Sequence, residues 1–200
     1  GFNWDFHRLH FLWYAALMEG RGDLALANAR NLSERYGNSP RDGREYLRAL
    51  PLHTLARLQR WDEILADPPP SEGLGFTEGM WHFARGMAMA NTGRLAEAQK
   101  EAAQVARLRE LPTLKRARIN DEPTLQWLLQ VSAAVLDAEL LRARGNASAA
   151  EQQAVIEALR AAVELEEEKI GGEPPGWAVT ARLALAQALL AAGRPAEAEA

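Results

Sequence analysis

The stretch Phe83–Gln99, FARGMAMANTGRLAEAQ, returns a hundred residues later as LALAQALLAAGRPAEAE, Leu183–Glu199, with 7 of 17 positions identical. A chain that repeats itself in this way is built from one unit used several times. Before Gly93, residues Phe83, Met87 and Ala90 fall at spacings of four and three, which is one helical face; Leu95, Ala98, Ala102 and Val105 do the same after it. Glycine takes positive φ without steric cost and so closes the first of two helices. The unit reads as helix, tight turn, helix. Its alanines let the two helices approach closely.

The unit recurs as LWYAALMEGRGDLALAN (Leu12–Asn28), as HTLARLQRWDEIL (His53–Leu65, with Gln59 in place of the glycine) and as AELLRARGNASAAEQQA (Ala138–Ala154). Turns are expected at 22, 59, 93, 145 and 193, with spacings of 37, 34, 52 and 48. Spacings of this size predict an all-α fold, an α-α superhelix of about five helical hairpins with no strands. Its units cover about 3–37, 40–67, 77–111, 123–171 and 176–200, one solenoid segment over residues 1–200. The 48% apolar content is enough for such a stack to bury a core.

These units resemble tetratricopeptide repeats. Gly86, Gly93 and Ala98 match the family's small first-helix, turn and small second-helix residues; Ala186, Gly193 and Ala198 do so in the last unit, and Ala15, Gly22 and Ala27 in the first. Met89, Leu189 and Met18 replace the usual first-helix aromatic, and the closing proline is absent. Bacterial repeat proteins of unassigned function look similar over His7–Leu12 and Leu50–Leu65.

Local signals set the boundaries. Ser39-Pro40 reads as an N-cap with proline in the first turn, and Ser148 with Glu151 as a capping box. Asp67-Pro68-Pro69-Pro70 stops a helix of about two turns, Ser71–Phe76 is a loop, and Glu110-Leu111-Pro112 ends the third unit. Asp121-Glu122-Pro123 opens a long helix to about Arg144. Gly171–Gly176 is a break, and Trp177 starts the last unit. The start at Gly1 and the stop at Ala200 inside a helix read as a piece of a longer protein.

Several chemistries are excluded or disfavoured. There is no cysteine, hence no disulfide, thiolate metal site or cysteine nucleophile. The net charge of −4 and the lack of a basic run argue against nucleic acid. No apolar run spans a membrane. A cytoplasmic setting is expected, and a periplasmic one is compatible with a cysteine-free chain. No G-x-S-x-G elbow or P-loop lysine occurs. No cofactor is called for. Glu164, Glu166, Glu167 and Glu168 read as a solvated acidic face. His10 and His82 read as helix–helix contacts bonded to backbone or carboxylate. His7 and His10 share a helical face, and with His53 they form a conceivable metal site, although the H-E-x-x-H wording is absent. Trp4, Trp81 and Trp177 sit near first-helix starts, where they could rim a groove.

In the resembling family, first helices line a concave groove 13, 10, 6 and 3 residues before the turn. The resemblance implies groove residues Leu9, Leu12, Ala16 and Glu19, then Tyr46, Ala49, His53 and Ala56, then Met80, Phe83, Met87 and Ala90. Such a surface suits an amphipathic helix or apolar peptide. Leu12 and Ala16 occupy two places of the carboxylate clamp used by chaperone-binding members, which disfavours that role. The expected function is a scaffold for protein or peptide binding. Self-association through the groove, a structural spacer, and a metal or small-ligand binding protein, even an enzyme, are the alternatives.

Overall fold

A computed structural model of the chain describes residues 4–37, 45–71, 73–117, 124–170 and 180–199. The described residues are helical, with no strand. They form α1 (Trp4–Met18), α2 (Gly22–Tyr36), α3 (Tyr46–Arg57), α4 (Trp61–Ala66), α5 (Gly75–Asn91), α6 (Leu95–Leu108), α7 (Pro112–Arg116), α8 (Thr124–Arg144), α9 (Ala149–Lys169), α10 (Ala181–Ala191) and α11 (Pro195–Ala198). The expected signals at Ser39-Pro40, Asp121–Pro123, Gly171–Gly176 and Trp177 lie outside the described residues.

Each hairpin packs its two helices on one another: α1 on α2, α3 on α4, α5 on α6, α8 on α9, α10 on α11. Between hairpins the first helices meet in order, α3 on α5, α5 on α8 and α8 on α10, and each second helix touches the next first helix. The core follows the same path. One cluster joins α1, α2 and α3 around Trp13, Leu32, Leu47 and Leu50. The next joins α2–α5 around Leu26, Leu55, Ile64 and Ala88. The largest gathers α5, α8, α9 and α10 around Phe76, Phe83, Leu129 and Leu159. Full burial of one such side chain stabilises by about 1.5–3 kcal/mol.

Four turns share one backbone solution. Gly20, Gln59, Gly93 and Gly193 have φ of 72°, 56°, 78° and 72°. The arginine after each donates its N–H five residues back: Arg21 to Ala16 (2.8 Å), Arg60 to Leu55 (3.0 Å), Arg94 to Met89 (2.8 Å) and Arg194 to Leu189 (2.9 Å). This is the Schellman closure, which satisfies carbonyls left open at a helix end. The first turn therefore centres on Gly20, not on the expected Gly22. Gly22 is the first residue of α2 and lies so near Leu58 that a Cβ would stand 3.0 Å from its Cδ2. The shift of two residues corrects the alignment of the first unit. Ala16, Leu55, Met89 and Leu189, four before each turn, are all buried, and Ala25, Ile64 and Ala98, five after it, are 0% exposed. Ala15, Met18 and Ala27, expected in the packed places, are exposed.

The α8–α9 turn differs. Gly145 has φ of 73°, but the chain runs on to Ser148 before α9 begins. There the capping box forms: Glu151 N–H donates to Ser148 Oγ (3.3 Å), and Ser148 N–H donates to Glu151 Oε2 (2.8 Å). Helix α4 stops before Pro68 as the three prolines require. The Ser71–Phe76 loop is shorter than expected, because α5 takes in Gly75 and Phe76, the latter wholly buried. Helix α7 follows the third unit with Pro112 in its first turn, a place proline favours.

Candidate functional site

A concavity of about 670 Å³ opens where the C-terminal parts of α3, α5 and α8 converge on α10, with the first turns of α9 along one side. Its apolar lining comes from Ala56, Trp61, Met87, Val135, Ala138, Leu141, Val155, Leu183, Ala184, Ala188 and neighbouring alanines. Polar points are Arg57, Gln59, Asn91, Glu139, Arg142, Gln152, Thr180 and Gln187. First helices supply most of these because α3, α5, α8 and α10 stand side by side.

The offsets that the resemblance implies become informative in the later units. In the fourth unit, 10, 6 and 3 residues before Gly145 are Val135, Glu139 and Arg142, and all three line the cavity. In the fifth, 13, 10 and 6 residues before Gly193 are Thr180, Leu183 and Gln187, which also line it. In the second and third units only Ala56 and Met87 do so. The remaining residues expected there lie elsewhere. Met80, Phe83 and His53 are 0%, 1% and 4% exposed, so they are packed in the core and offer no surface. Tyr46 is half-buried against the cores around it, Leu9 packs on the α1–α3 cluster, and Leu12 is exposed on α1, away from the cavity. Among the described residues Trp61, not Trp4 or Trp81, is the lining tryptophan; Trp81 donates its Nε1–H to Asp67 O (3.1 Å) and lies beneath the Arg85 guanidinium.

Charge in the cavity is uneven. Glu139 holds Arg142 at 2.5 Å and 3.0 Å, and Arg142 also donates to Asn91 Oδ1 (2.9 Å). Among the described residues the Arg57 side chain has no ion-pair or hydrogen-bond partner. Among the described residues Glu139 is the one lining carboxylate against Arg57 and Arg142, so these residues give the cavity one excess positive charge in a chain of net charge −4.

His10 and His53 are buried in packing contacts. His7, His10 and His53 do not come together as a metal-binding group, and no three of His, Asp or Glu do so among the described residues. His10 stacks on Trp13 at 5.5 Å, and Trp13 donates to Thr54 Oγ1 (2.9 Å), which ties α1 to α3. His53 is enclosed beside Phe83; its Nδ1 has no hydrogen-bond partner, and burial pushes its pKa down to about 4. His82 Nδ1 meets Glu101 Oε2 at 2.5 Å, and Arg85 shares that carboxylate. Glu166 departs from the solvated-face expectation: it is buried and accepts the Ala181 N–H (2.9 Å) at the start of α10. Glu164, Glu167 and Glu168 are exposed as expected.

Comparison with protein-family models, with curated proteins and with solved structures found no match. No helix among the described residues is long and apolar enough to cross a membrane.

Proposed function

We propose that the chain is a scaffold of tetratricopeptide-like hairpins, wound as an α-α superhelix, that holds a segment of a partner protein in the cavity between α3, α5, α8 and α10. The observation that carries this reading is the recurrence of lining residues at the same offsets before successive turns, in the fourth and fifth units above all. A surface assembled from one position of many repeats is extended and graded along the stack, which suits a peptide. The apolar wall takes its side chains, with Met87 adapting to their shape. The amides of Gln59 and Gln187 can pair with its backbone, and Arg57, which has no ion pair among the described residues, favours a carboxylate on it.

Selection of displayed random peptides against the chain tests the proposal. Recovered peptides should be apolar with an acidic residue, and Leu183→Glu should weaken their binding about tenfold or more. Enrichment of nothing, or of peptides indifferent to Leu183→Glu, overturns it. The cavity volume also falls within the range of about 300–1,000 Å³ common for small-ligand sites, so an apolar carboxylic acid is the second reading. A thermal shift with such acids, absent in Arg57→Ala, would favour it.

A further inference from the structure

Six large apolar side chains are exposed among the described residues, and four of them stand on one helix: Trp4 (70%), Phe11 (42%), Leu12 (45%) and Met18 (54%) of α1. A globular helix normally turns one apolar stripe to the core and a polar face to water. The inner stripe of α1 is in place, with His10, Trp13, Ala16 and Leu17 buried. The outer face nevertheless runs Trp4, His7, Phe11, Ala15, Met18, with no Asp, Glu, Lys or Arg on it. Those spacings are three, four, four and three, which keep one helical face and read the same in both directions.

We infer that this outer face docks on the same face of a second copy of the chain, antiparallel, about a two-fold axis through Phe11. The pairing sets Trp4 against Met18 of the other copy, an indole on a thioether. Large His7 meets small Ala15, and Phe11 meets Phe11. Charge agrees with this direction. Arg8 and Glu19 are eleven residues apart, close to three turns, so they border the same edge of the stripe. Antiparallel docking brings Arg8 of each copy within reach of Glu19 of the other on one side of the interface; parallel docking about a two-fold sets the two Arg8–Glu19 edges on opposite sides, where they cannot pair. Both side chains are more than 60% exposed, and their present bonds, Arg8 to Asp5 (2.9 Å) and Glu19 to Arg21 (3.6 Å), are surface pairs that exchange at little cost. The helix dipoles also oppose favourably. A single helix of about 22 Å offers less than the roughly 800 Å² per partner of a standard interface, so the dimer is weak and concentration-dependent.

Sedimentation velocity of the chain across the micromolar range tests the inference, with melting temperatures to show that each exposed-site variant is folded. The chain should pass from monomer to dimer, and Phe11→Glu should raise the dissociation constant about tenfold or more. Arg8→Glu and Glu19→Arg should each dimerise poorly alone and better when mixed, because only the mixed pair matches both charges. A chain that stays monomeric throughout, a dimer indifferent to Phe11→Glu, or a mixture no better than its components overturns it.

Discussion

Gly79 of α5 lies so close to Leu129 of α8 that a Cβ added to it would meet Leu129 Cδ2 at 2.6 Å and Cδ1 at 2.9 Å. One heptad on, Gly86 stands against Leu136 in the same way, at 2.8 Å and 3.0 Å. Both leucines are fully buried, so their methyl groups must shift within packed surroundings to admit a Cβ. Gly79→Ala should destabilise by about 1–3 kcal/mol through overpacking, less the roughly 0.5–1 kcal/mol that alanine contributes to a helix interior. In a Leu129→Ala background the same change should become stabilising. Urea midpoints of the four proteins check the sign reversal.

Gln59 holds a conformation that costs a side chain about 1–2 kcal/mol and costs glycine nothing. Gln59→Gly should therefore raise the melting temperature, even after the entropy glycine adds to the unfolded chain. An unchanged or lower melting temperature would show that the Gln59 side chain, on the rim of the cavity, contributes something its backbone geometry does not reveal.

His53 makes stability depend on pH in one window. Its folded pKa of about 4 lies below the ordinary 6.5, so between these values the unfolded chain binds a proton that the folded chain does not. Stability therefore falls as pH drops through this window, by up to about 3 kcal/mol at its lower end. His53→Leu removes the titrating group and the unpaired Nδ1 together. Its stability should be nearly equal to or above the parent at pH 7 and should lead by a growing margin towards pH 4, read from denaturant midpoints at each pH.

The capping box gives a site-specific reading. Glu151 accepts from Ser148 and from Arg144, which together hold its carboxyl at about 2. Ser148→Ala should move that pKa back towards the ordinary carboxylate range, measured by NMR titration of the Glu151 side chain.

Helix spans were legible from the sequence because their punctuation is local: the three prolines after Asp67, the Ser148–Glu151 pair and the glycines at 93 and 193 each act within one turn. The first unit was misaligned because two glycines, Gly20 and Gly22, compete there. The Gly-Arg pair that recurs at 20, 93 and 193, with Gln59-Arg60 as its variant, was the signal that selects Gly20. The cavity was harder to place. Positions such as Phe83 and Met80 share a helical face with Met87, but only the packing of α8 on α5 decides which part of that face is covered. That packing depends on Gly79 and Gly86 meeting leucines fifty residues away, a pairing that no local pattern announces.

Helix α5 touches α3, α4, α6, α7 and α8, whereas α1 and α11 lie against few neighbours. Such a stack opens piecemeal from the helices with fewest neighbours. Amide protons should exchange with deuterated solvent within the early minutes in α11 and α10, later in α1 and α2, and last in the middle of α5, where release requires the whole stack to come apart. The outer helices of the described stack thus live on a shorter clock than α5 at its centre.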